Sequence, residues 1–426
     1  MDLTLFFAVL GGLLVLAFIA NRLVRFTRVP DVIILMATGV LIGPVFHWVN
    51  PDIFRGATHG FGTLALILIL FEGGLDMKLR EIRHFGPGFF LALFSYVLSM
   101  AGVAAACRFA LHFPWLNALI VGAVLGCISS SILFPVLQQV DLRREVKVTL
   151  LVEASLGDAL AVLAVTTLLD IAAGGRADAK AVAWSLGSSI ILAVACGVLA
   201  GMLWSYLLPI LSEERFWHVL TFAAVLLVYS GVHFLKGNEL VSVLVFGLTL
   251  SNFTAIRKRL HLDEALGADW FNEMPLKDAS GHSPDDRRQS QMLTFHGELA
   301  FLLRTFFFVL LGMLVDYAGL RSNLRLALLC FAAILVARAV AVQAGRLVWR
   351  DFSGLERELM VWFVPRGLIT AVLGIQVLEV RGSAFAFLPS LAFAIILLTN
   401  IALLIGSVRA RALPAPKLEA TEAIPE

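Results

Sequence analysis

The sequence predicts an all-α integral membrane protein of about thirteen transmembrane helices, built as two inverted six-helix repeats with two broken crossing helices. Three observations carry this expectation. Of 426 residues, 59% are hydrophobic and 15% charged, against roughly 45–50% and about 25% in an average soluble domain. Apolar runs of about 20 residues, enough to cross a hydrocarbon core about 30 Å thick, recur along the chain. The Lys and Arg residues are divided unevenly between alternate loops, as the bias of cations toward cytoplasmic loops requires.

The first run, in MDLTLFFAVLGGLLVLAFIANRLVRFTR, has no basic region ahead of its apolar stretch and no small-residue cleavage pattern. It therefore reads as a retained span near 3–21, not a removed signal peptide. Further spans are expected near 30–49, 60–76, 88–109, 115–140, 147–171, 181–210, 216–235, 239–255, 298–319, 323–348, 356–379 and 385–407. The stretch 181–210 is long enough to be tilted or broken. With the N-terminus outside, one set of alternate loops and the tail hold 22 of the 33 cations, the opposite set holds 8, and Arg304, Arg338 and Arg366 fall within spans. This predicts a multi-pass protein of the cell inner membrane, N-terminus outside and C-terminus cytoplasmic.

The runs PDVIILMATGVLIGPV and NELVSVLVFGLTLSNF share an acidic start, an apolar run, a glycine and a Pro or Asn exit. They lie seven helices apart. An odd offset sends the two halves through the membrane in opposite directions, the inverted-repeat plan of many secondary transporters. The loop 256–297 is the one sizeable polar stretch and is expected to be a mobile cytoplasmic loop. Residues 408–426 read as a short cytoplasmic tail. A net charge of +2, with no basic cluster interleaved with aromatics, points away from nucleic acid. Cys107, Cys127, Cys196 and Cys330 lack zinc or redox spacing and read as packing residues, so no cofactor and no resident metal are expected.

Two carboxylates break the pattern in LVEASLGDALAVLAV. A charge at the centre of a spanning helix costs about 2.5–3.5 kcal/mol, which makes such a group a functional candidate by default. Asp158 is roughly 17 Å into its span at 1.5 Å per residue, hence mid-membrane. Glu153 lies five residues earlier, about 140° around the helix, so the two cannot share a face. Two roles are expected. A guanidinium keeps a buried carboxylate charged, and Arg366, in FVPRGLITAVL, is the expected partner of Glu153 in a structural ion pair. Pro365 and Gly367 flank Arg366, while GCISSSILFPV holds Gly126, three serines and Pro135. Both segments are expected to unwind at mid-depth, where carbonyls can face a cation and helix ends can face charges. Ordinary Pro and Gly kinks are the alternative.

At these positions LVEASLGDALAVL, LFEGGLDM, LLRTFFFVLLGMLVDY and VPRGLITAVL together resemble the cation:proton antiporter superfamily, the sodium/proton exchangers and their bacterial relatives, over nearly the whole membrane part. The resemblance implies that Asp158 binds a monovalent cation and a proton in alternation, and that Glu153 is bridged to Arg366. The expected cation- and proton-binding set is Asp158, Ser129, Ser130 and Ser155. The resemblance also implies a homodimer, with a core bundle (about 88–171 and 323–407) moving against a scaffold and dimer part (about 1–76 and 181–319). Gly157 stands where the family usually has Asn or Asp, and Ser129–Ser131 replace a frequent Thr-Asp-Pro. Na+, K+ and Li+ therefore stay open as the cation, and so does the charge stoichiometry.

Arg304 is a possible accessory residue. About 9 Å into its span, it can snorkel to the surface or reach inward toward Asp158; snorkelling is expected, because a guanidinium beside Asp158 would compete permanently with the cation. Arg338 resembles an arginine common in helix eleven of the family and reads as structural. The leading function is secondary antiport of Na+, K+ or Li+ against H+ by alternating access. A cation channel or pH-gated conduit is the alternative, but no repeated filter-like loop is visible. A membrane enzyme is not expected: no metal-ligand His pair, nucleophile elbow or catalytic dyad stands out.

Overall fold

The computed structural model describes residues 29–48, 52–76, 85–174, 179–211, 216–259, 284–315, 317–347 and 352–410, with scattered positions between 11 and 22. Most of the predicted first span, most of the 256–297 loop and nearly all of the tail lie outside the described residues. Fourteen α-helices are followed: α1 (Asp31–Val40), α2 (Asp52–Asp76), α3 (Phe85–Leu111), α4 (Trp115–Gly126), α5 (Ser130–Gln138), α6 (Arg144–Ala173), α7 (Ala179–Leu211), α8 (Trp217–Phe234), α9 (Glu239–Arg259), α10 (Pro284–Met313), α11 (Tyr317–Ala344), α12 (Gly354–Trp362), α13 (Leu368–Arg381) and α14 (Leu388–Arg409).

Among the described residues, nine helical stretches are long and apolar enough to cross a membrane, and three shorter apolar helices accompany them. The chain is an all-helical, multi-pass membrane protein. Large apolar side chains on its outer surface, such as Phe109, Trp184, Ile191, Leu227 and Phe234, fit this environment, because lipid removes the penalty that water would impose on them. The 181–210 stretch is a single helix of 33 residues. At about 50 Å it is longer than the hydrocarbon core is thick, and it runs without a break. Helix α10 begins at Pro284, so the end of the predicted loop is already helical.

Between helices, polar lipid-free contacts are made by bringing backbones close, which small residues permit. A Cβ on Gly39 of α1 would lie 2.0 Å from the Val309 carbonyl oxygen of α10, and one on Gly312 of α10 would lie 2.3 Å from that of Met36. The same reciprocal fit joins α2 to α9, where Cβ atoms on Gly74 and Gly247 would meet the carbonyls of Leu244 and Phe71 at 2.3 and 2.5 Å. Helix α1 then widens into a π-type turn, Leu41–Val45, containing Pro44; proline has no N–H to continue the ladder. A second group, α3, α4, α6 and α11, packs together, with α5 against α6.

The predicted span 115–140 is two helices separated by Cys127–Ser129, and the span 356–379 is two helices separated by Phe363–Gly367. Helix α12 starts with a capping box, Ser353 accepting from the Glu356 N–H while the Glu356 carboxylate accepts from that of Ser353. Both carboxylate oxygens of Glu356 also accept from Arg143, at 2.6 and 2.7 Å. This fork fixes the α5–α6 loop to the start of the second broken helix.

Candidate functional site

The two breaks meet. The Ser129 N–H donates to the Pro365 carbonyl at 2.8 Å, and Gly367 lets the strands touch, since a Cβ there would lie 2.4 Å from Ser129 Oγ and 2.7 Å from its Cβ. Gly367→Ala is expected to cost about 1–3 kcal/mol through overpacking, read as a lowered melting temperature in detergent; an unchanged value would mean that the crossing is looser than this geometry.

Breaking α4 leaves its last carbonyls without their usual N–H partners four residues on. The Leu125 carbonyl would take the N–H of Ser129 and the Gly126 carbonyl that of Ser130, but the first is given to Pro365 and the second to Asp158. Arg366 fills both places. Its Nε donates to the Leu125 carbonyl at 3.1 Å, Nη2 to that of Gly126 at 3.0 Å and Nη1 to that of Val364 at 2.9 Å. The peptide of Arg366 is held by α14: its N–H donates to Thr399 Oγ1 at 3.0 Å, and its carbonyl accepts from Asn400 Nδ2 at 2.9 Å.

Asp158 lies on α6 with 2% of its surface exposed. Its Oδ2 accepts from the hydroxyl of Ser130 at 2.7 Å and from the Ser130 N–H at 3.3 Å. Its Oδ1 has no protein partner among the described residues. One oxygen is thus anchored to the N-terminus of α5, where the helix dipole favours negative charge, while the other is left for a further ligand. Of the expected set, Ser130 alone bonds Asp158. Ser129 turns its hydroxyl to that of Ser131 at 3.2 Å. Ser155 is half-buried one turn from Asp158, with no hydrogen bond between them.

The expected Glu153–Arg366 pair is corrected by the geometry. Glu153 Oε1 is paired with Arg338 Nη1, both side chains being almost wholly buried. The reason lies in the carbonyls: Arg366 is consumed by the broken-helix ends, whereas Arg338 on α11 also donates to the Met360 carbonyl at 2.8 Å and to Ser95 Oγ at 3.3 Å. Glu153 thus ties α6 to α11 and, through Met360, to α12.

Arg304 neither snorkels nor bonds Asp158, which corrects the second expectation. Its Nη2 is 2.8 Å from Asp31 Oδ2, in an ion pair with side chains 11% and 9% exposed. Its Nη1 donates to the Ser131 carbonyl at 2.7 Å. The guanidinium is held inward by two partners, the Asp31 carboxylate and the Ser131 carbonyl. Asp31, Thr399 and Asn400 were not anticipated as site residues. The adjacent Thr and Asn in LLTNIALL were the available signal, two polar groups in an otherwise apolar helix; Asp31 looked like an ordinary helix start.

The family described as sodium/hydrogen exchanger, transmembrane, matches residues 13–408. This chain belongs to the sodium/hydrogen exchanger family. It is 26% identical over 358 residues to the K+/H+ antiporter NhaP2 of Shewanella sp. (strain MR-4), covering 82% of this chain and 56% of that protein. It thus spans little more than half the length of such relatives. It is 23% identical over 383 residues to Na+/H+ antiporter 1 of Methanocaldococcus jannaschii, with 88% of this chain and 84% of that protein covered. The solved structure of the sodium proton antiporter MjNhaP1 from that organism at pH 8 matches with a TM-score of 0.76 at 22% identity, over 97% of this chain and 99% of that one. At that identity the likeness is one of fold. In this exchanger-family chain, the breaks, Asp158, the buried Arg338 and Arg366 and the partly buried Arg304 lie inside the matched region.

Proposed function

We propose that this protein is a secondary antiporter that exchanges a monovalent cation, Na+, K+ or Li+, for H+, with Asp158 as the group both substrates occupy in turn. One observation carries the reading: Asp158 is buried in mid-helix with Oδ2 held by Ser130 and Oδ1 without a protein partner among the described residues. A carboxylate so placed can hold a proton or a cation but not both, and competition for one site couples the two fluxes when the site faces each side alternately. A cation binding here takes Asp158 Oδ1 as its anionic ligand, with the unwound backbone close by.

The division into a core bundle (about 88–171 and 323–407) and a scaffold that pairs in a homodimer (about 1–76 and 181–319) belongs to the same proposal. So do the two inverted repeats, an inner-membrane location and an outside N-terminus. The family membership and the names of the relatives support the antiport reading over a channel.

The test is exchange by purified protein in proteoliposomes, read with a pH-sensitive dye while Na+, K+ and Li+ are added in turn, with and without a clamped membrane potential. Cation-driven proton movement that persists under the clamp is expected. Cation flux without proton movement would favour a channel and overturn the proposal.

A further inference from the structure

The carbonyl that Arg304 holds is an orphan made by a proline. In α5 the Ser131 carbonyl should accept from the N–H of residue 135, four positions on. That residue is Pro135, which has no N–H to give. The bond is supplied from another helix instead, by Arg304 Nη1 at 2.7 Å. The donor is itself fixed: Asp31 Oδ2 holds Nη2 at 2.8 Å, and the Phe301 ring lies 5.7 Å from the guanidinium carbon. Asp31 stands at the start of α1 and Arg304 on α10, two helices in backbone contact through Gly39 and Gly312. Helix α5, by contrast, packs on α6.

The residue before Ser131 is Ser130, whose N–H and hydroxyl are the only donors to Asp158 among the described residues. The first turn of α5 is therefore gripped from two sides, by Asp158 at Ser130 and by Arg304 at Ser131. We infer that Arg304, charge-balanced by Asp31, is a positioning residue that replaces the backbone bond lost at Pro135 and so holds Ser130 against Asp158. Arg304 makes no bond to Asp158 itself. The α1–α10 pair is thereby connected to the ion site through the Ser131 carbonyl. Its effect on cation affinity rests on Asp158 carrying the cation; its effect on the α5 backbone does not.

The pairing of cause and remedy gives a test that a merely structural ion pair would not pass. The variant Arg304→Gln/Asp31→Asn removes both charges together, so that no unpaired buried carboxylate is left to unfold the chain. Two readouts are taken on purified full-length protein: deuterium uptake of the peptide covering residues 130–138, and the midpoint of thermal stabilisation by NaCl, KCl and LiCl in turn. In the pair variant, uptake is expected to quicken about tenfold and the midpoint for the effective salt to rise about tenfold, as fits loss of a charge-assisted hydrogen bond. Adding Pro135→Ala restores an N–H to the Ser131 carbonyl, and both quantities should return to within about threefold of wild type. Unchanged uptake in the pair variant would overturn the inference. So would faster uptake that Pro135→Ala does not reverse, since Arg304 would then act by another route. Should the wild-type protein show no exchange and no salt stabilisation, the carrier reading of Asp158 fails, and the uptake measurements still decide whether Arg304 positions α5.

Discussion

Asp158→Asn is expected to abolish cation:proton exchange while leaving the protein folded. The amide keeps the shape of the carboxylate and can still accept from Ser130, so the seam between α5 and α6 should persist. It does not titrate in this range, and it carries no charge to hold a cation. On the proposed reading, in which both substrates occupy Asp158 in turn, its removal is an all-or-none change, unlike the graded losses from altering neighbours. The measurement is dye-monitored exchange in proteoliposomes, with melting temperature in detergent as the folding control. Near-wild-type exchange in the Asn variant would remove Asp158 from the carrier role.

The largest stability effect is expected at Glu153. Glu153→Ala leaves Arg338 charged and unpaired at 1% exposure, and breaking a buried pair from one side costs about 3–5 kcal/mol. Ser95 and the Met360 carbonyl still accept from Arg338, but neither carries a compensating charge. The loss should appear as a clearly lowered melting temperature. Glu153→Leu/Arg338→Met, which removes both charges and keeps apolar volume, should recover most of it. A double-mutant cycle distinguishes the partners: coupling of about 0.5–3 kcal/mol is expected between Glu153 and Arg338, and much less between Glu153 and Arg366. The reverse pattern would restore Arg366 as the partner.

What could be read from the sequence, and what could not, divides along the distinction between local and long-range information. Apolar runs of spanning length announce membrane helices, because the bilayer fixes how long they must be. The two breaks are legible for the same kind of reason: Gly126 beside one, and Pro365 and Gly367 within the other, weaken a helix wherever it packs, whereas Pro135 lies inside α5 and does not end it. The depth of Asp158 follows from counting residues along its helix.

Partner choice does not follow from counting. Arg338 and Arg366 both lie within spans, and the angle between Glu153 and Asp158 says only that they face different ways. The choice is made by the backbone: once Ser129 and Ser130 give their N–H groups to Pro365 and Asp158, the carbonyls of Leu125 and Gly126 need donors, and Arg366 is next to them. Arg304 shows the same limit. Its depth suggested a choice between the surface and Asp158, while its partner was Asp31, 273 positions away in sequence. Pro135 was visible as a breaker, yet the carbonyl it orphans could be matched to a donor only once the helices were placed together.

The central claim, that one carboxylate serves cation and proton in turn, is tested most directly by counting protons released when cation binds. Purified protein in weakly buffered detergent, at a pH where wild type is active, is titrated with NaCl, KCl and LiCl while a pH indicator is followed, with choline chloride as the ionic-strength control. Binding that requires a deprotonated ligand releases the proton it displaces. Wild type is expected to release up to about one proton per cation bound, and Asp158→Asn none. Cation-dependent release that persists undiminished in Asp158→Asn would contradict the account, because the proton would then come from another group.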